Sequence, residues 1–227
     1  MNYTNNQKAF QITALSLFAC IAHGVMLFTP FNDYIYTSAV KFALFVICPI
    51  IYFTITKDGK FKDLFFFDLN SKTIKYSLLF GIFVFIFILL GFLAIRSWLE
   101  PEMIQNAMAN VGITSGNYVF VALYYLIINV GLEELFFRGF IFLTLYRLGY
   151  KYYAHLFSAL LFAVYHIAIM RYGVAPALLI LATIGLIIVG FLFNEITRRC
   201  NNITGSYIAH ASASLALILI GFYFMFY

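Results

Sequence analysis

Residues 75–95 read KYSLLFGIFVFIFILLGFLAI, a stretch whose opening lysine is its single charged residue. A transmembrane helix needs about 20 mostly apolar residues to cross roughly 30 Å of hydrocarbon, and this stretch is long enough. Similar apolar runs lie near residues 9–29, 36–55, 118–149, 154–170, 174–194 and 203–224. The pattern predicts an all-α, polytopic transmembrane bundle of about seven spans.

The composition points to the same class of protein. Of the 227 residues, 64% are hydrophobic and 10% are charged, whereas soluble globular chains carry roughly 25% charged residues. This excludes an ordinary water-soluble enzyme or binding domain. The segments between the apolar runs are too short for a second globular domain, so we expect any chemistry to take place within the membrane or at its surface.

The distribution of lysine and arginine predicts a cytoplasmic N-terminus, because these residues accumulate in cytoplasmic loops. With that orientation, ten of the 14 cations lie inside, and Arg96 and Arg171 lie outside. Lys41 and Arg138 lie within spans, and we expect Lys41 to extend its ammonium group to the surface. The net charge of +5 indicates contact with a lipid bilayer and gives no reason to predict a nucleic-acid partner.

One apolar run is longer than a bilayer requires, and it contains charged residues. At about 1.5 Å per residue, residues 118–149 would exceed about 45 Å if straight, so we expect this segment to be tilted, broken or partly re-entrant. Its centre, residues 131–139, reads GLEELFFRG. A charge near the middle of a bilayer costs about 2.5–3.5 kcal/mol on insertion scales, so ionisable residues at this depth indicate a functional site.

The spacing within this segment predicts how its polar side chains pair. Glu134 and Arg138 are four residues apart and share a helix face, so we expect them to form an ion pair. Glu133 lies about 100° around the helix and lacks such a partner, which suits a general base or acid. Asn129, four residues before Glu133, is placed to hydrogen-bond its carboxylate. The alternative is a structural clamp between helices.

Two histidines lie inside apolar runs on separate predicted spans, His166 and His210. Histidine is well matched to proton transfer at physiological pH and can orient a water molecule. Small residues surround His210 and allow a neighbouring helix to approach closely. Ser214 follows four residues later on the same face. We expect both histidines to converge with Glu133 around one buried site.

Taken together, these residues resemble the CAAX-protease and bacteriocin-processing (CPBP, Abi) family of intramembrane endopeptidases. Its Glu-Glu-x-x-x-Arg, Phe-x-x-x-His and His-x-x-x-Asn motifs correspond to Glu133, Glu134 and Arg138, then Phe162 and His166, then His210 and Ser214. Serine therefore replaces the family's asparagine. The resemblance divides the chain into N-terminal spans at residues 1–117 and a catalytic core at residues 118–227.

The resemblance implies a role for each matched residue. Glu133 and His166 would activate the water that attacks a peptide bond, and His210 would stabilise the oxyanion. Glu134 and Arg138 would hold the site together or orient the substrate. Losing an oxyanion donor can lower turnover about 10²–10³-fold. Serine at position 214 is therefore compatible with a proteolytic activity that is weakened, redirected or absent.

The family has been described both as zinc-dependent and as metal-free. Glu133, His166 and His210 offer the three ligands that a catalytic zinc ion requires. The chain contains no HExxH motif that would place two ligands on one helix, which favours a metal-free site while leaving zinc open.

We expect the substrate to be a membrane-associated peptide or protein, and the small loops and the Lys- and Phe-rich composition favour a bacterial cell membrane. Two other functions are compatible with the sequence. The first is a non-proteolytic bacteriocin immunity or scaffold protein that binds through the same polar cluster. The second is a small transporter with Glu133 as a proton-coupled site, but the sequence shows no inverted repeat to support it.

Overall fold

The computed structural model describes residues 3–29, 33–61, 64, 71–170 and 176–227, apart from the side chains of residues 71–72 and 168–170. Within these ranges the regular structure is helical, and no strand occurs. We number the long helices α1 (Asn5–Met26), α2 (Tyr34–Thr56), α3 (Ser71–Ile95), α4 (Pro101–Asn110), α5 (Tyr118–Arg147), α6 (Lys151–Met170), α7 (Pro176–Cys200) and α8 (Thr204–Phe226).

Six of these helices are long and apolar enough to cross a membrane, namely α1, α2, α3, α5, α7 and α8. The polytopic helical bundle is therefore confirmed, with six candidate spans among the described residues against about seven predicted. The remaining predicted span, at residues 154–170, falls on α6, and its last three side chains lie outside the described part. Which side of the membrane the N-terminus faces stays a prediction.

Local sequence signals set the ends of the first two helices. Thr4 caps α1 through a capping box, in which its hydroxyl accepts from the Gln7 amide at 3.3 Å and its own amide donates to the Gln7 side chain at 3.0 Å. Asp33 caps α2 by accepting from the Tyr36 amide at 2.8 Å. The helix ends at Thr56, because the next residue, Lys57, has a φ of 55°, a left-handed conformation that cannot continue an α-helix.

Of the three alternatives for residues 118–149, tilted, broken or partly re-entrant, the break is wrong, because the chain stays helical through all 30 residues of α5. Tilt and re-entrance stay predictions. The helix contains two π-helical stretches, Tyr125–Asn129 and Glu134–Leu143. In a π-helix each amide bonds to the carbonyl five residues back, so the turns are wider than in an α-helix, and such turns are often found at functional sites. The single α-helical turn Val130–Glu133 separates the two stretches. Glu133 is therefore the last α-helical residue before the second π-helical stretch begins at Glu134.

The core surrounds α5 and includes both N-terminal helices. Phe45 of α2 stacks on Phe136 of α5, with ring centroids 4.0 Å apart and planes 7° apart. Ile12 of α1 and Tyr52 of α2 are buried in the same cluster. The predicted division near residue 117 stays a prediction, but the helices before it share one core with the helices after it.

Polar contacts at the helix ends join α5 to the turn between α7 and α8, and α1 to the end of α2. The Arg147 guanidinium donates to the Asn201 carbonyl at 3.2 Å, where α7 turns into α8. Lys8 pairs with Asp58 at 2.8 Å, which joins the start of α1 to the residues after α2. One end of the bundle therefore carries several of the cations that the sequence assigns to the cytoplasmic side.

Candidate active site

Three of the residues predicted to carry chemistry meet in the interior of the bundle. Glu133 of α5 is 1% exposed, and its Oε2 lies 3.5 Å from Nε2 of His166 on α6. The same Oε2 lies 3.8 Å from Nε2 of His210 on α8. One ligand atom from each of these side chains lies within 4.8 Å of the other two. Residues far apart in the chain therefore form one compact polar cluster, which we call the Glu–His–His cluster.

Hydrogen bonds at the other ring nitrogens orient both imidazoles. Nδ1 of His166 is 2.8 Å from the Phe162 carbonyl oxygen, which can only accept. Nδ1 of His210 is 2.9 Å from Oε1 of Glu134, which accepts when ionised. Each Nδ1 therefore carries a proton, and Nε2 of each ring faces Oε2 of Glu133. When both rings are neutral, three acceptors face one another, and Glu133 Oε2 has no hydrogen-bond partner among the described residues.

The pair of Glu134 and Arg138 is observed as the spacing predicts, with 3.6 Å between Arg138 Nε and Glu134 Oε2. Both side chains are 0% exposed. The guanidinium carbon of Arg138 lies 4.0 Å from the centroid of the Phe162 ring and 5.2 Å from that of Phe193. A buried cation over an aromatic face gains cation–π stabilisation. Aromatic rings as well as the carboxylate therefore hold this charge.

Phe162 contacts both charged parts of the site, which the sequence did not predict. In the sequence it was only the first residue of the Phe-x-x-x-His motif. Its carbonyl orients His166, and its ring lies beneath Arg138. The ring also contacts His210 edge-on, with centroids 5.7 Å apart. One aromatic residue thus connects the Glu134–Arg138 pair to both imidazoles.

Lys41 contradicts two expectations. Its side chain is only 7% exposed, and Nζ lies 3.1 Å from Oε1 of Glu133, so it does not extend to the surface. The ammonium group also donates to Oδ1 of Asn129. Glu133 therefore has a cationic partner after all, supplied by a residue 92 positions away. The sequence did contain a sign of this inward position. Lys41 lies roughly 10 Å along an apolar helix from its first residue, and a charge at that depth in a membrane is usually functional.

The two remaining predicted residues lie beside this cluster. Asn129 donates from Nδ2 to Oε1 of Glu133 at 3.0 Å, as its position one turn earlier predicts. Ser214 is 1% exposed, and its hydroxyl lies close to the side chain of Tyr125 in the first π-helical stretch. The contribution of Ser214 to an oxyanion site stays a prediction.

Residues 115–216 match one protein-family model. That family is described as type II CAAX prenyl endopeptidase, Rce1-like, and the matched segment is just under half of the chain. The match confirms the resemblance inferred from the three motifs, all of which lie inside it, and supports a membrane-embedded peptidase of the CAAX-protease type. Lys41 lies outside it. No curated protein and no solved structure matches the chain.

The Glu–His–His cluster also fits a zinc ion by its donor set. Catalytic zinc takes three nitrogen or oxygen ligands and keeps one position open, and Glu133, His166 and His210 provide such a set. The second nitrogen of each imidazole is held by a carbonyl or a carboxylate, as is usual for ligating histidines. If bound there, zinc would acidify a water molecule and polarise a carbonyl group. The positive charge of Lys41, which lies 3.1 Å from Glu133, disfavours the binding of a metal cation at this cluster.

Proposed function

We propose that the protein is an intramembrane endopeptidase that hydrolyses a peptide bond in a membrane-associated peptide or protein. The observation that carries this proposal is the meeting of three acceptors, Glu133 Oε2 and the Nε2 atoms of His166 and His210, within one buried cluster. Three acceptors require a proton donor or a cation between them. A water molecule supplies two protons, and its oxygen is then directed toward a substrate carbonyl.

The reaction balances with the residues that face this water. Glu133 Oε2, assisted by Nε2 of His166, takes one proton as the water oxygen bonds to the carbonyl carbon. The carbonyl oxygen becomes negatively charged in the tetrahedral intermediate. The carbon–nitrogen bond then breaks, and the proton held by Glu133 passes to the leaving nitrogen. The products are a new carboxyl terminus and a new amino terminus.

His210 serves the oxyanion in this scheme. Its Nδ1 already donates to Glu134, so donation from Nε2 to the oxyanion requires the doubly protonated ring. The added proton is the one that Glu133 takes from the water: Oε2 shares it with Nε2 of His210, 3.8 Å away, until it passes to the leaving nitrogen. The Glu134 carboxylate lies where it compensates the positive charge of that ring, and Arg138 in turn compensates Glu134. The Glu134–Arg138 pair thus supports the site without contacting the substrate.

The test is cleavage in liposomes by the wild type and by Glu133→Gln, with Glu195→Gln as the matched control. Glu195 is a carboxylate outside the cluster, paired with Arg198 and Arg199. Because the family description names prenylated substrates, one arm uses a prenylated C-terminal peptide and the other an unmodified membrane peptide. We expect Glu133→Gln to lower turnover by about 10²–10⁴ and the control to leave it unchanged.

Equal cleavage by the wild type and Glu133→Gln would refute the proposed chemistry. A chelator arm, combined with the metal content of the purified protein, separates the two versions of the reaction. Loss of activity together with loss of bound zinc supports the zinc form. Full activity in metal-depleted protein supports a water activated by glutamate and histidine alone.

One observation favours a second function, a non-proteolytic immunity or scaffold protein of a bacterial cell membrane. Ser214 replaces the asparagine of the family motif, and its hydroxyl lies beside the side chain of Tyr125. A silent wild type that gains cleavage through Ser214→Asn would support this reading. An immunity protein should also protect cells equally well when it carries Glu133→Gln.

A further inference from the structure

We infer that Lys41 is a positioning residue that anchors one oxygen of Glu133 and thereby leaves the other oxygen free to react. This inference rests on the proposed peptidase function. It adds to the site a residue from α2, outside the segment that matches the family model.

The anchoring is a closed network of three side chains. Oε1 of Glu133 accepts from Lys41 Nζ at 3.1 Å and from Asn129 Nδ2 at 3.0 Å. Lys41 also donates to Oδ1 of Asn129, so each side chain bonds to the other two. Oε2, by contrast, has no hydrogen-bond partner among the described residues and faces the two imidazoles. The two oxygens of one carboxylate therefore have separate tasks.

A carboxylate needs such an anchor because its terminal torsion is soft. The last side-chain torsion of glutamate is broad and roughly two-fold, so an unanchored group would sample many planes. Two donors on the same oxygen select one plane and aim Oε2 at the imidazoles. A misplacement of about 1 Å in a catalytic site can cost around 10² in rate, which makes this fixed plane valuable.

Helix α2 is held firmly enough to serve as the support. Phe45, one turn after Lys41, is fully buried and stacks on Phe136 of α5. Lys41 Nζ itself lies 5.8 Å from the centroid of the Tyr165 ring on α6. The ammonium group is therefore enclosed by α2, α5 and α6. Its charge also offsets the cost of burying Glu133 away from water.

The first experiment measures kcat and KM for Lys41→Met and Lys41→Arg, with Thr37→Val as the matched control. Thr37 is buried one turn earlier on α2, and among the described residues its hydroxyl donates to the backbone carbonyls of Asp33 and Tyr34 at the start of the helix. We expect Lys41→Met to lower kcat about 10²-fold with KM changed less than about two-fold, because a positioning residue acts through Glu133 and not on the substrate. Lys41→Arg retains a cation, so we expect its kcat to be about ten-fold higher than that of Lys41→Met. Thr37→Val should resemble the wild type.

A second measurement tests the pairing without a substrate. Melting temperatures are compared for Lys41→Met, Glu133→Gln and the double variant in detergent. If the side chains form one network, each single variant lowers the melting temperature and the double variant falls by less than the sum. Additive shifts overturn the inference, and so does a Lys41→Met protein that keeps the wild-type kcat.

The two measurements keep the failure of this inference separate from the failure of the proposed function. Cleavage by the wild type together with unimpaired cleavage by Lys41→Met refutes the positioning role alone. A wild type that cuts neither peptide, combined with non-additive melting temperatures, refutes the peptidase and the positioning role together, and leaves Lys41 as a structural ion-pair partner.

Discussion

Helices α3 and α5 are both long enough to span a membrane, but the protein uses them in opposite ways. In the most apolar window of α3 only 11% of the residues are buried inside the protein, against 39% in α5. Among the described side chains of α3, from residue 73 onward, the buried ones form a narrow stripe of Ser77, Gly81 and Val84. In α5, residues 132–145 are buried without interruption, and this stretch contains Glu133, Glu134 and Arg138.

The difference shows that apolarity does not identify the interior of a membrane protein. Lipid tails are as apolar as leucine, so an apolar face is equally stable toward lipid or toward another helix. A charged face has only one favourable position, inside the bundle beside a partner. The less apolar helix is therefore the central one.

The largest effect that this comparison predicts follows from Arg138→Met in α5. It removes the guanidinium paired with the buried Glu134 carboxylate, and removing one partner of a buried pair typically costs about 3–5 kcal/mol. We expect this loss in the free energy of unfolding, measured by denaturant titration in detergent. Arg199→Met is the control, because Arg199 is 73% exposed in its pair with Glu195 and such pairs contribute about 0–1 kcal/mol. Similar losses in both variants would contradict the central role of α5.

A smaller effect is expected from an aromatic substitution on each helix. Phe136 of α5 is 0% exposed and packs on Phe45, so Phe136→Ala leaves a cavity and should cost about 3 kcal/mol. Phe83 of α3 is 63% exposed, and lipid can replace its contacts. Phe83→Ala should therefore stay within about 0.5 kcal/mol in the same unfolding measurement. A large loss from Phe83→Ala would show that another protein surface covers α3.

The smallest effect tests the narrow stripe by which α3 packs on α8. A Cβ atom at Gly205 of α8 would lie 2.9 Å from the Ser77 hydroxyl of α3 and 2.6 Å from a methyl group of Ile196 on α7. Gly205→Ala should push α8 away from both neighbours and cost about 1–3 kcal/mol. At Gly91 of α3 an added Cβ meets no atom within 4 Å, so Gly91→Ala should be close to neutral. Equal thermal stability of the two variants would mean that the α3–α8 contact is loose.

Much of the candidate site could be predicted from the sequence, because its residues either pair within one helical turn or belong to a motif. The Glu134–Arg138 pair and the Asn129–Glu133 hydrogen bond depend only on residues one helical turn apart. His166 and His210 could be selected because a titratable side chain is rare in an apolar span. Lys41 was misread, since a lysine within a span is equally compatible with a surface-seeking side chain and with an inward ion pair.

The amino-acid sequence by itself determined the helical membrane class, because the apolar runs have the length of a bilayer and leave no other stable fold. It also determined the short-range pairs within α5. Only the tertiary structure decided that Glu133 has a cation, that Phe162 carries Arg138, and that α3 lies outside while α5 lies inside. These features depend on how separate helices rotate against one another, and apolar faces that are equally stable toward lipid or protein leave that rotation open until the helices pack.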